Sequence, residues 1–278
     1  MNRTIAVTGA TGAVGGLVVR ALADDFRTDL RLLVRDVSRA PDIDTDVREC
    51  SYEDLDASLE ALRGVDTLLM VSAAEAEDRR EQHRTFVRAA ATAGVRHVVY
   101  TSFAGAAPDA AFTLARDHHD AEQAIRESGM AWTFLRDNFY LDLLPFYADE
   151  QGVIRGPAGD GRCAAVARAD VADAAAAVLR APDDHADTAY TLTGPEALTL
   201  AEVAARAGAV LGRALRFEDE TVEEARRWRQ ERYGAADWQL DAWVSTYTAI
   251  RDGALAEVTD DVPLLTGHPA RTLEDALS

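Results

Sequence analysis

Short apolar runs alternate with longer amphipathic stretches through the first half of the chain. TIAVTG (4–9) is apolar and rich in β-branched residues, and it passes through a glycine turn into the amphipathic segment 13–25. LRLLVR (30–35) and VRECS (47–51) predict the next two strands, and EDLDASLEALRG predicts a helix ended by Gly64. DTLLMVSA (66–73), VRHVVYTS (95–102) and MAWTFLR (130–136) predict a fourth, fifth and sixth strand. Between them, RREQHRTFVRAAATAG predicts a helix ended by Gly94, and Leu114 to Ser128 predicts another. Apolar runs separated by helices imply a parallel sheet covered on both faces. The predicted fold is therefore α/β, a Rossmann-type doubly wound sheet.

Beyond residue 137 the pattern loosens. A glycine-rich stretch, GVIRGPAGDGR (152–162), precedes the helix VADAAAAVLRA; TAYTLTG reads as a short strand, LTLAEVAARAGAVLG as a helix and LRFEDE as another short strand. This half reads as a smaller α+β substrate lobe built against the C-terminal ends of the sheet. The expected division is 1–137 for nucleotide binding and 138–278 for substrate, with later segments able to return to the first domain.

Charge narrows the partners. The formal net charge is -19, which repels phosphate backbones and anionic lipid, so neither nucleic acid nor a membrane surface is expected. No run approaches the roughly 20 apolar residues of a membrane span, and the first residues lack a secretory pattern. Cys50 and Cys163 fit no ligand spacing and read as free thiols in a reducing cytoplasm. A cytoplasmic monomer or homodimer is expected.

The chemistry begins at TGATGAVGG. Gly9, Gly12 and Gly15 follow a strand and open a helix, the arrangement that lets a pyrophosphate approach backbone at a helix N-terminus. The end of the second strand then discriminates between cofactors. An acid there accepts from ribose hydroxyls, whereas an arginine accommodates a 2′-phosphate. Arg35 stands at that end, with Arg39 one turn further, and favours NADP(H). Asp36 follows directly and could serve the NAD role.

A second constellation is LARDHHDAEQ (114–123). His118 and Glu122, four apart, share a helix face. Many reductases on this fold use a tyrosine and a lysine four apart on this helix, but all 29 basic residues here are arginines. His118 could donate to a substrate oxygen with Glu122 orienting its ring, or the face could contact only the cofactor amide or water. His119 points about 100° away and no third ligand is evident, so no metal is expected. Trp228, Trp238, Trp243 and Tyr247 read either as core or as an aromatic wall for a planar substrate.

These segments together resemble the NmrA-like, atypical branch of the short-chain dehydrogenases, most nearly the type 2 NAD(P)H:quinone oxidoreductases. The likeness runs through TGATGAVGG, LLVRD, CSYED, GVDTLLMVSA, QHR (82–84), GVRHVVYTS, the LARDH…E helix, WTFLR, AGDGR, ARADVADAAAAV and LTGHPARTLEDAL. It implies that Gly9, Thr11, Gly12, Ala13, Val14, Gly15 and Arg35 hold the dinucleotide, with Ser51 and Tyr52 near its adenine. It also implies that Ser72, Ala73, Thr101, Ser102 and the segment Arg136 to Tyr140, Asn138 included, surround the nicotinamide. His118 and Tyr140 are the implied catalytic candidates. Two departures stand out: Ser51 replaces a frequent aspartate, and Asp137-Asn138 replaces a frequent Asn-Gly.

The implied activity is hydride transfer from NADPH to a quinone or similar small planar, electron-poor carbonyl. Such an acceptor needs positioning more than acid catalysis, because its product anion is already stabilised. A dinucleotide-sensing regulator that acts through a partner protein, or a tailoring reductase of secondary metabolism, remain the alternatives.

Overall fold

The computed structural model describes residues 3–23 and 28–278. In chain order the first part comprises β1 (Arg3–Thr8), α1 (Ala13–Leu22), β2 (Thr28–Val34), β3 (Asp46–Glu49), α2 (Leu55–Leu62) and β4 (Thr67–Met70). It continues with α3 (Arg79–Ala93), β5 (His97–Phe103), α4 (Thr113–Glu127) and β6 (Ala131–Asp137). Then follow β7 (Val153–Gly156), β8 (Arg162–Cys163), α5 (Arg168–Arg180), β9 (Thr188–Leu192) and β10 (Leu198–Thr199). The chain ends in α6 (Leu200–Leu211), β11 (Arg216–Asp219), α7 (Val222–Tyr233), α8 (Asp237–Arg251), α9 (Asp261–Thr266) and α10 (Leu273–Ala276). Residues 24 and 25, expected to end α1, lie outside the described residues.

Seven strands form one sheet in the order β3-β2-β1-β4-β5-β6-β9. β1 pairs in parallel with both β2 and β4, placing Ile5 opposite Leu30 on one side and Thr67 on the other. At the far edge, Asp187 N–H donates to the Trp132 carbonyl and Asn138 N–H to that of Leu192, so β6 and β9 ascend together. The order reverses between β1 and β4, and a crevice beyond the strand ends at such a reversal is where α/β sheets bind ligands.

Two compact units make up the chain. The first contains Met1–Ser102, Asp117–Arg136 and Val171–Tyr190; its core sets Leu68, Met70, Val98 and Tyr100 of the sheet against Phe86 of α3 and Ile125 of α4. The second contains Phe103–Arg116, Asp137–Asp170 and Thr191–Ser278, with a core that includes Phe103, Phe139, Ile154, Val203 and Tyr247. β7 runs parallel to β11, and β8 runs antiparallel to β10. The glycine-rich stretch 152–162 thus holds strand residues at both ends. Their brevity hides them in a sequence pattern, and the β7–β11 pair joins positions more than sixty residues apart.

α6 and α7 begin with capping boxes, Thr199 with Glu202 and Thr221 with Glu224. In each the threonine oxygen and the glutamate satisfy otherwise unpaired first-turn amides.

Candidate cofactor cleft and active site

The glycine turn closes on itself before α1 begins. Gly12 N–H donates to the Gly9 carbonyl at 2.8 Å, and Gly9 has φ +63°, a conformation that favours glycine. A Cβ on Gly15 would lie 2.2 Å from the Gly9 oxygen, so the helix can pack on the strand end only without a side chain there. Gly12 caps α1 in extended conformation, with no side chain bonded to the cap and no acid in the first turn. The opening amides of α1, including those of Ala13, Val14 and Gly15, have no intrahelical acceptor and suit an anion. A cleft of about 350 Å³ opens here, floored by Gly9, Thr11 and Gly12.

Arg35 lines the cleft at the end of β2, exposed, and makes no ion pair among the described residues. Asp36 is occupied differently. Its Oδ1 accepts from the Ser38 amide at 3.0 Å and from the Ser38 hydroxyl at 2.6 Å, bonds that lower its pKa. The carboxylate thus caps a short turn, while the neighbouring guanidinium pairs with no acid among the described residues. Arg39 is exposed and does not line the cleft.

Ser51 and Tyr52 form part of the opposite wall. The Tyr52 hydroxyl donates to the Val71 carbonyl at 2.7 Å and lies 2.7 Å from Thr8 Oγ1, which accepts from Val71 N–H at 2.8 Å. Its ring stacks on Phe86 at 4.1 Å. The phenol therefore ties the ends of β1 and β4 together, leaving only part of the side chain to the cleft. Ser51 accepts through its carbonyl from Ser58 Oγ at 2.7 Å.

Ser72 and Ala73 begin the loop from β4 to α3, and side chains hold their backbone. Ser72 N–H donates to Thr101 Oγ1 at 2.9 Å, and Ala73 N–H donates to His83 Nε2 at 2.9 Å. Arg79 Nε returns a bond to the Ala73 carbonyl at 2.9 Å. His83 is fully buried, and burial first, then Arg79, lowers its pKa to about 3. It is therefore neutral and serves as an acceptor at Nε2. Neither Arg79 nor His83 stood out as a functional residue in the sequence. The available signal was their spacing of four at the start of the helix after β4.

The expected partnership of His118 with Glu122 does not form. Both are buried on one face of α4 and meet β5, but through different residues, and β6 claims Glu122 while α3 claims His118. Glu122 accepts from Arg136 Nε at 2.8 Å and Nη2 at 2.7 Å, from Ser102 Oγ at 2.7 Å and from Arg126 Nη2 at 3.2 Å. His118 Nε2 lies 3.1 Å from Arg79 Nη2 and its Nδ1 lies 3.1 Å from Tyr100 Oη. Arginine only donates, so Nε2 accepts and the ring hydrogen sits on Nδ1, towards Tyr100 and the Thr101 backbone. Burial, followed by Arg79 and His83, holds the imidazole pKa well below its usual value. Helix periodicity identifies a shared face; what packs against that face decides the partners. Ser102 has a consequence of its own: its hydroxyl hydrogen goes to Glu122, so its oxygen offers a ligand acceptor capacity only.

In the second unit the Tyr140 hydroxyl donates to Asp137 Oδ2 at 3.2 Å. Asp137 is 3% exposed, its Oδ1 has no hydrogen-bond partner, and burial raises its pKa well above the carboxylate range. Burial and Asp137 also raise the Tyr140 phenol. Asn138 is buried and braced: Oδ1 accepts from Phe139 N–H at 2.7 Å and from Cys163 Sγ at 3.1 Å, while Nδ2 donates to the Leu255 carbonyl at 3.0 Å. Two of the C-terminal tryptophans meet one tyrosine at the end of α7. Trp228 and Trp243 meet Tyr233 edge to face at 5.9 and 5.7 Å, and Tyr247 belongs to the core beneath Arg229. Trp238 is half-buried at the start of α8.

A family model described as NAD(P)H-binding matches residues 9–182. An NAD(P)H azoreductase of Xenophilus azovorans is 35% identical over 98% of this chain and 96% of its own. A (4-alkanoyl-5-oxo-2,5-dihydrofuran-3-yl)methyl phosphate reductase of Streptomyces griseus is 39% identical over 98% and 95%. Among solved structures, the NADPH complex of an Escherichia coli NADPH-dependent quinone oxidoreductase superposes with a TM-score of 0.88 at 32% identity, covering 98% of both chains.

Proposed function

The chain belongs to the NAD(P)H-binding, NmrA-like family of oxidoreductases, and from that premise we propose that it is an NADPH-dependent reductase of quinones and kindred electron-poor conjugated acceptors. The observation that carries the cofactor assignment is the contrast at the end of β2. Beside the glycine turn Arg35 makes no ion pair among the described residues, while Asp36 is spent on Ser38. The residues present fit the dinucleotide: Gly15 leaves space that a Cβ would fill, and the opening amides of α1 supply donors for a pyrophosphate. When bound, NADPH supplies the hydride.

The acceptor class rests on what the surrounding side chains leave undone. His118 has both ring nitrogens engaged, and Ser102 gives its hydrogen to Glu122. Neither is placed to donate a proton to a developing alkoxide. Reduction of a quinone (quinone, hydride and one proton giving hydroquinone) makes a stabilised phenolate-type anion that water can protonate. The azo and dihydrofuranone compounds named for the relatives share a conjugated, electron-poor π system with quinones, which supports the same class here. Positioning such an acceptor supplies the rate advantage.

The test is steady-state NADPH oxidation with a benzoquinone, a naphthoquinone, an azo dye, a conjugated lactone and cyclohexanone. Turnover is expected with the conjugated acceptors and not with cyclohexanone. Tight NADPH binding without turnover on any of them would favour a sensing role instead.

A further inference from the structure

We propose that Arg79 is a positioning residue of the cofactor cleft and that His118 acts through it, as the acceptor that holds the guanidinium in place. The proposal rests on the reading of the cleft as a NADPH site.

Between β4 and α3 the residues 71–78 form neither helix nor strand, and 71–76 line the cleft. A wall without a ladder of its own must be held by side chains if it is to meet a ligand in one conformation. Here α3 supplies them. Its first residue, Arg79, takes the Ala73 carbonyl and closes the loop on itself, while His83 takes the Ala73 amide one turn later. Arg79 is 4% exposed and does not line the cleft, so any effect on a nucleotide passes through Ala73.

The guanidinium is planar, so fixing Nη2 also fixes the direction of Nε. His118 Nε2 accepts from Nη2 at 3.1 Å, and Asp117 Oδ2 stands 3.6 Å from Nη1. A ring hydrogen on Nε2 would face an arginine hydrogen, so the brace requires the Nδ1–H form, which Tyr100 and the Thr101 backbone receive. α4, which carries His118, thus serves the cofactor through α3.

Glutamine distinguishes a brace from an acid, because it keeps an acceptor near the Nε2 position and has no titrating proton. The experiment measures NADPH dissociation constants, amide exchange at Ser72 and Ala73, and quinone turnover at saturating NADPH in the wild type, His118→Ala, His118→Gln and Arg79→Lys. His118→Ala and Arg79→Lys are expected to weaken NADPH binding about tenfold, the scale of one hydrogen bond to a charged group, and to speed exchange at both amides. His118→Gln is expected to restore both. Turnover lost equally in His118→Gln and His118→Ala would assign a proton-donating role and overturn the proposal. So would unchanged affinity and exchange in Arg79→Lys, which also decides the matter if His118→Ala does not fold. A wild type that fails to bind NADPH would overturn the cofactor reading itself.

Discussion

The carbonyl oxygen of Gly9 occupies the space that a side chain on Gly15 would need, 2.2 Å from the ideal Cβ position. Gly12 differs: its Cβ would lie 3.2 Å from the same oxygen, and its φ of -91° suits any residue. The two glycines should therefore fail in different ways. Gly15→Ala should disrupt the turn and lower stability as well as NADPH binding. Gly12→Val should lower the melting temperature less than Gly15→Ala, because its Cβ asks the Gly9 oxygen to yield only a few tenths of an ångström, yet lose the nucleotide, because the new side chain stands where the pyrophosphate approaches. Wild-type NADPH affinity in a folded Gly12→Val protein would place the dinucleotide elsewhere.

Arg35→Ala tests the cofactor preference. Loss of a hydrogen bond to a charged group is worth roughly 1.5–3 kcal/mol, or about tenfold to somewhat over a hundredfold in affinity. The loss should appear for NADPH and not for NADH, measured as two dissociation constants. Equal wild-type affinities for the two nucleotides would end the assignment of Arg35 to a 2′-phosphate.

Acid should destabilise the fold through buried neutral histidines. His83 has a folded pKa of about 3 against an ordinary value of 6.5, so the unfolded chain binds the proton that the folded one refuses. Its contribution is complete above about pH 6.5 and falls away as the pH drops towards 3, costing about 2 kcal/mol by pH 5. His97 and His118 shift in the same direction. Urea midpoints recorded from pH 7.5 to 5 should fall, and His83→Gln should flatten the slope. A slope that His83→Gln leaves intact would assign the acid sensitivity to other groups.

Removing the Tyr140 hydroxyl exposes the cost of Asp137. Oδ1 already lacks a partner, and Tyr140→Phe takes away the one donor to Oδ2 among the described residues. An unsatisfied buried group costs about 1–3 kcal/mol, so the variant should unfold at lower urea. Asp137→Leu with Tyr140→Phe should recover part of that loss, since replacing both partners by apolar groups can be nearly neutral. No recovery in the double variant would mean that the pair is held by something other than this bond.

Much of the architecture was legible along the chain because its signals are local. The apolar runs of β1, β4 and β5, separated by helices, imply a covered sheet, and Gly9, Gly12 and Gly15 mark a turn by their spacing between a strand and a helix. The absence of lysine excluded a tyrosine–lysine dyad without any coordinates. β7, β8 and β10 were not legible, since strands of two to four residues owe their existence to partners elsewhere in the chain.

Which of the buried polar groups were already taken was decided only by tertiary structure. The sequence places Arg35 beside Asp36, where position alone already favours Arg35, and His118 four residues before Glu122, with nothing to show what either would bond. Ser38 meets Asp36 through a local turn, but only folding brings Arg136 and Ser102 to Glu122, Arg79 to His118, and Cys163 and Leu255 to Asn138. Hydrogen-bonding capacity is finite, and a buried group spends it on whatever neighbour the packing supplies. Those neighbours lie up to 117 residues away, beyond the reach of any local pattern, so the chain alone specified the candidates and the fold determined which were already taken.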